Sequence, residues 1–246
     1  MLILNDLTEA KTELKNMLVD DKFGEASNQV VIEEYLDGIE MSVFVLTDGK
    51  DYLILPEAKD YKRIGEGDLG LNTGGMGAVS PVPFVTKELR QKIESRIVKP
   101  SVEGIGKRKF NYKGFLFIGL MIVNNEPFVI EYNVRMGDPE TEVVMPRIKS
   151  DFLNHLLACA NGTLSKEIIE FEEDYATTVM LVSGGYPESY AKGMLMTGFD
   201  EIKERILFHA GTKMQENDIL TNGGRVIAIT SYGKEMQSAL KKSFNN

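Results

Sequence analysis

Residues 129–133 read Val129-Ile130-Glu131-Tyr132-Asn133, and the chain runs on through Val134 into Arg135-Met136-Gly137-Asp138-Pro139-Glu140-Thr141-Glu142. Successive side chains of a strand alternate between its two faces, so Glu131 and Asn133 share one face while Ile130 and Tyr132 take the other. A carboxylate and an amide oxygen then converge. Hard cations such as Mg²⁺ take a few protein oxygens of this kind and leave the rest of their octahedron to water and phosphate. Taken alone, an acidic and an amide residue at i and i+2 also describe a solvated strand face. The segment that follows supplies context: the planar donors of Arg135 suit two oxygens of a phosphate or acyl phosphate, and Asp138, Glu140 and Glu142 add three carboxylates beyond it.

Working outward, residues Gly114–Val123 and Pro127–Asn133 read as two strands turning at Asn124-Asn125. Upstream, the alternating runs Met41–Leu46 and Tyr52–Leu55 read as another hairpin, joined through Asp48-Gly49. The β-branched stretch Gln29–Leu36 predicts a strand of its own. Its end, with the turn and strand that follow, carries Glu33-Glu34-Tyr35-Leu36-Asp37-Gly38-Ile39-Glu40. Strand-end backbone there suits the edge of an adenine, and Glu40 suits ribose hydroxyls. Between residues 56 and 81 periodicity disappears and glycine rises, which predicts a long loop.

Three helices complete the pattern. Asp6 and Glu9 form a capping-box arrangement ahead of Ala10, Leu14, Met17 and Leu18 on one stripe, predicting a helix over 6–19. Thr86 caps a second, carrying Leu89, Ile93 and Ile97, which Pro100 breaks or kinks. Ser150 starts a third, with Phe152, Leu153, Leu156 and Leu157 inward and Gly162 just past its end. His155, without a neighbouring Cys, His or carboxylate cluster, reads as structural. From about residue 175 the strands Ala176–Ser183, Ile206–His209 and Arg225–Thr230 alternate with glycine turns. The class is α+β, with a boundary expected at residues 165–174, where Glu170, Glu172, Glu173 and Asp174 crowd together.

Composition bounds the function. The 246 residues are 43% hydrophobic and 26% charged, as in an ordinary globular protein. No apolar run approaches the ~20 residues a bilayer requires, so no membrane partner is expected. The net charge of −9 disfavours nucleic acid, and Lys107-Arg108-Lys109 reads as solvated surface. The start of the chain lacks the basic and apolar regions of a secretory signal, and the single cysteine, Cys159, excludes a disulfide framework and reads as a buried small hydrophobe. A cytoplasmic setting is expected, in which the sequon Asn161-Gly162-Thr163 stays unmodified.

Four separated stretches resemble the phosphoribosylamine-glycine ligase family. They are Val31–Ser42; Lys59-Asp60-Tyr61-Lys62-Arg63 continuing to Asn72-Thr73-Gly74-Gly75-Met76-Gly77; Glu131–Glu142; and Ser183–Pro187 with His209–Thr212 and Thr221–Arg225. The 72–77 and 135–142 runs are distinctive of that family, whereas Glu131 and Asn133 are shared by ATP-grasp enzymes at large. Met136 departs from the family's usual Phe or Leu but stays apolar. The resemblance implies a large antiparallel ATP-grasp lobe over residues 36–170, a remnant of the small lobe over 1–35 and a β-rich C-terminal domain over 171–246. It implies ATP-dependent joining of glycine to 5-phosphoribosylamine through glycyl phosphate. Glu33, Glu34, Leu36 and Glu40 would surround the adenosine, and Glu131 and Asn133 would hold Mg²⁺ or Mn²⁺. Arg135 would stabilise the transferring phosphoryl group. Asp60, Lys62, Asn72, Thr73, Gly74, Gly75, Met76 and Asp138 would face the substrates.

Against that family, residues 1–28 show no lysine-rich strand with a glycine loop, and the end of the chain stops before the family's final strands. The polypeptide by itself is therefore expected to lack synthetic activity. The strand at Val30-Val31-Ile32 is expected to present an unpaired edge, mobile or paired with a second copy. Two other readings remain open at this level: a different ATP-grasp ligase or carboxylase, and a non-catalytic nucleotide-binding or assembly module.

Overall fold

The local signals next to the decisive stretch act as their residue types dictate. Asn124 and Asn125 both adopt positive φ, at 50° and 62°, as a two-residue hairpin turn requires. They join strand β5 (Gly114–Val123) to β6 (Glu126–Asn133). The upstream hairpin also forms, from β1 (Ile39–Thr47) and β2 (Tyr52–Ile54), with the Asp48 carboxylate accepting from the N–H groups of Lys50 and Asp51 at the turn. The four strands make one antiparallel sheet in the order β2-β1-β5-β6. The computed structural model describes residues 2–245, and its contacts divide the chain into a small unit ending at Asp37 and a larger one beginning at Gly38.

In the small unit, helix α1 (Leu7–Leu18) begins where the Asp6 carboxylate accepts the Glu9 N–H at 2.8 Å. The expected strand at Gln29–Leu36 does not form. A strand is held by ladder hydrogen bonds, and among the described residues none pairs with this stretch, so β-branched propensity is insufficient. Val31 and Ile32 are exposed, but they present no strand edge for a second copy to extend.

The glycine-rich stretch of the large unit is not a loop. It folds as a hairpin of β3 (Lys59–Gly65) and β4 (Leu69–Ser80), with two register shifts between them. Glycine serves close approach here rather than disorder. A side chain on Gly77 would collide with the Thr178 carbonyl of the adjoining strand. Gly75 adopts φ +111°, where a side chain would meet the Pro139 ring.

The remaining strands are β7 (Tyr175–Val182), β8 (Leu195–Met196), β9 (Ile206–His209), β10 (Thr212–Gln215), β11 (Asp218–Thr221) and β12 (Arg225–Gly233). A five-stranded sheet runs β3-β4-β7-β12-β9, and a small one runs β10-β11-β8. Pairing of β4 with β7 carries a single sheet across the boundary expected at residues 165–174.

Helix α2 (Lys87–Ile93) is capped by Thr86 as expected. It does not stop before Pro100: a π turn (Glu94–Val98) leads into α3 (Lys99–Lys107). Pro100 sits in the first turn of α3, where a missing N–H costs least, and the wider turn ahead of it absorbs the irregularity. A short helix α4 (Thr141–Val144) follows the 135–142 segment. Helix α5 (Phe152–Asn161) is capped by Asp151 rather than Ser150, and ends at Gly162 with φ 72°. Its buried face is His155, Ala158 and Cys159, with Phe152 and Leu156 half-buried, while Leu153 and Leu157 point out. His155 is not alone. Its ring nitrogens meet Ser150 Oγ and Glu167 Oε2, each at 2.7 Å, a bracket that ties the helix to the following turn and displaces Ser150 from the cap. Helix α6 (Met236–Phe244) closes the described chain.

Two cores sandwich the first sheet. Phe44, Leu46 and Phe117 face one way, toward Val143, Val144, Ala158 and the second sheet's Ala78 and Ala176. Met41, Val43, Val45, Leu116, Ile118 and Leu120 face the other, toward Leu89, Ile93 and Ile97 of the α2 side.

Candidate functional site

Register decides which polar groups meet. Glu40 lies opposite Met121 and Ser42 opposite Gly119, while Gly119 lies opposite Glu131 and Phe117 opposite Asn133. Glu40, Ser42, Glu131 and Asn133 therefore share one face of the sheet, beyond the Phe44–Phe117 core. The Asn133 amide donates to Glu131 Oε1 at 3.0 Å. The pair expected from the i, i+2 spacing is thus in contact. A bulge at Ile130, where the register passes from Gly119–Glu131 to Leu120–Val129, lets Val129 pack in the opposite core while Glu131 stays on the open face.

Arg135 joins this face. Its guanidinium lies 5.5 Å from the centre of the Phe117 ring and donates to the Met136 carbonyl at 2.9 Å. Lys62 is ion-paired with Glu40, and Asp60, two residues earlier on the same strand, is buried. Glu140 is buried as well and accepts from Ser42 Oγ at 2.8 Å. Burial, then the neighbouring Asp60 charge, raises the Glu140 carboxyl above its ordinary range. Burial likewise raises Asp60 against the lowering effect of Lys62. Burial acts to lower Lys62, but its hydrogen bond to Glu40 and the charge of Asp60 raise it overall. A cation flanked by partly desolvated carboxyls is the result, an arrangement suited to binding an ammonium group or exchanging a proton.

These directions carry a pH prediction. A carboxyl raised on folding makes the folded state bind more protons, so its contribution weakens as pH rises through the raised value and is greatest near the ordinary value of 4.5. Glu140→Gln retains an acceptor for Ser42 and cannot ionise. Its stability relative to the wild type, from urea unfolding, is expected to improve as pH rises above the ordinary value of 4.5. Parallel stability curves would show that the Glu140 carboxyl is not raised on folding.

The 72–77 segment is held by groups distant in sequence. Thr73 Oγ1 donates to the Lys62 carbonyl at 2.7 Å, and Tyr186 OH accepts from the Gly74 N–H at 3.0 Å. Arg225 donates to the Gly74 carbonyl at 2.6 Å, and to the Asp138 carboxylate at 2.7 Å. Thr73, Gly74, Gly75 and Asp138 are thereby gathered, and exposed Asn72 faces Arg63 across the hairpin. Met76 is not gathered with them. It lines an apolar hollow with Tyr61 and Phe244, where the register of β4 against β3 shifts between Asn72 and Gly77. Glu33, Glu34 and Leu36 lie in the small unit, in the stretch without regular structure. Sequence reasoning gave no role to Ser42, Tyr186 or Arg225, and saw Glu140 only as one of three carboxylates. Their significance arises from contacts spanning 87 to 151 residues, for which no local pattern exists.

Among the described residues no group of three or more His, Cys, Asp or Glu side chains could enclose a metal. Glu131 and Asn133 still fit a hard cation that is shared with phosphates. Both carry oxygen donors, and turning the Asn133 amide over presents its oxygen beside the carboxylate.

Comparison with known proteins gives the family. Residues 1–141 match the family model for the ATP-grasp (A) domain of phosphoribosylglycinamide synthetase, and residues 176–246 match that for its C domain. The phosphoribosylamine–glycine ligase of Chlorobaculum tepidum is 44% identical over 90% of this chain, and that of Fusobacterium nucleatum 40% identical over all of it. The chain spans 53% and 59% of those relatives. The crystal structure of phosphoribosylamine–glycine ligase from Thermotoga maritima superimposes with a TM-score of 0.85 at 35% identity, covering 99% of this chain and 60% of that one. On matches that take in both domain models and nearly every residue, the chain belongs to the phosphoribosylglycinamide synthetase family, with an ATP-grasp fold.

Proposed function

We propose that the chain supplies the larger part of the nucleotide and substrate sites of an ATP-dependent ligase that joins glycine to 5-phosphoribosylamine, in the cytoplasm. The observation that carries this reading is the convergence of Glu131, Asn133 and Arg135 on one sheet face that also bears Glu40 and Ser42. In the reaction a carboxylate oxygen of glycine attacks the terminal phosphorus of ATP, releasing ADP. The amine nitrogen then attacks the acyl carbon of glycyl phosphate, and inorganic phosphate leaves with the bonding pair.

Glu131 and Asn133 hold Mg²⁺ or Mn²⁺, which supplies positive charge to the phosphate oxygens when bound. Arg135 offers its planar donors to the group in transfer, where positioning and charge stabilisation dominate catalysis. Glu40 accepts from the ribose hydroxyls of the nucleoside. Asp60, Lys62 and Glu140 face the amine-bearing substrate, and the Asn72–Gly75 segment with Asp138 shapes its pocket, held by Arg225 and Tyr186. The net charge of −9 disfavours nucleic acid as a partner. No described helix is long and apolar enough to cross a membrane.

Calorimetric titration of the intact chain with ATP tests the reading. Binding is expected in the presence of Mg²⁺ and is expected to disappear when EDTA removes the metal. Absence of binding, or ATP binding indifferent to the metal, would contradict it.

A further inference from the structure

A second hollow, of about 280 Å³, lies on the other side of the first sheet from the candidate site. Met41 and Val43 form part of its wall, whereas their neighbours Glu40 and Ser42 face the opposite way. Val85, Ile93 and Phe171 complete an apolar lining.

One wall holds a buried guanidinium. Arg147 lines the hollow and is 7% exposed. Its Nε, Nη1 and Nη2 donate to the Asp174 carbonyl, Ser80 Oγ and the Glu172 carbonyl, at 3.1, 2.8 and 2.8 Å. All three acceptors are neutral. Each terminal nitrogen of a guanidinium carries two hydrogens, so Nη1 and Nη2 each keep one uncommitted. Among the described residues no carboxylate lies within ion-pair distance of Arg147, while the nearby Arg90 is already paired with Glu57 at 2.5 Å. Glu94, on the helix side, accepts from Tyr52 OH at 3.1 Å. A buried cation with no carboxylate in contact is costly and is ordinarily paired. Burial accordingly pulls the Arg147 guanidinium below its ordinary value, with Glu57 opposing.

We infer that this hollow is a binding site for a small monocarboxylate with an apolar body, its carboxylate on Arg147 and its hydrocarbon against Met41, Val43, Val85 and Phe171. The cavity lies near the lower end of the ~300–1,000 Å³ range typical of small-molecule sites, which limits the ligand to a short chain or one ring. A ligand there presses on β1, the strand whose other face carries Glu40 and Ser42. The inference does not depend on the ligase reading, because its test contains no nucleotide.

The test is a heteronuclear NMR titration of the intact chain with 3-phenylpropanoate and, separately, with the neutral 3-phenylpropanamide. The acid is expected to perturb residues around Pro56, Val85, Arg90 and Phe171, and the amide to bind at least about tenfold more weakly, the share of a charge-assisted hydrogen bond. Arg147→Met is expected to erase that preference. Because Arg147 also ties down the 172–174 segment, Val85→Phe provides a second variant: it fills the hollow, leaves Arg147 intact and is expected to abolish binding of the acid. Equal affinity for acid and amide, perturbations elsewhere, or unchanged binding by Val85→Phe would each overturn the assignment.

Discussion

Replacing Glu131 by Gln and Asn133 by Ala together is expected to weaken Mg-ATP binding by the intact chain roughly a hundredfold, about 2.7 kcal/mol. The pair supplies a charged oxygen and, once the Asn133 amide is turned over, a neutral one on a single strand; the two side chains are in contact, with the Asn133 amide nitrogen 3.0 Å from Glu131 Oε1. Few protein oxygens serve a cation that is completed by phosphate and water, so each one lost is felt strongly. Glu131→Gln alone removes the charge and keeps an oxygen in place, so the single variant should fall between wild type and the double variant. Both positions are solvent-accessible, and neither substitution empties a core, so unfolding curves should coincide with wild type. A double variant within about twofold of wild-type affinity would place the metal elsewhere.

Phe44→Ala is expected to cost about 3–5 kcal/mol of stability. Phe44 is fully buried and meets Phe117 edge-on, with ring centres 5.4 Å apart and an interplanar angle of 71°. Truncation loses the transfer energy of the ring and leaves a cavity between two sheets, which cannot both collapse onto it. At roughly 2–4 °C per kcal/mol for a protein of this size, the midpoint should fall by about 6–20 °C. The effect reaches the site, since Phe117 is the ring beneath Arg135 and pairs across the ladder with Asn133. Thermal unfolding followed by circular dichroism measures it. A loss below about 1 kcal/mol would mean that the core repacks around the gap.

What could be read from the chain alone was whatever is encoded over a few neighbouring residues. Alternation put Glu131 and Asn133 on one face, Asn124-Asn125 and Asp48-Gly49 marked hairpin turns, and Asp6, Thr86 and Gly162 marked helix ends. These signals survive because steric and hydrogen-bonding preferences of that range hold in any context.

Tertiary structure decided the rest, through groups that meet only once distant strands pair. The glycine stretch at 56–81 is strand rather than loop because β4 finds β7 a hundred residues onward, and glycine then gives room for backbone approach that no local rule reveals. The opposite error at Gln29–Leu36 has the same cause: β-branched residues make a strand only when a partner strand supplies its hydrogen bonds. Ser42 with Glu140, Arg225 with Asp138, and the buried Arg147 guanidinium with no carboxylate in contact are likewise products of burial and register, because desolvation is set by what surrounds a side chain in space and not by what precedes it in the chain.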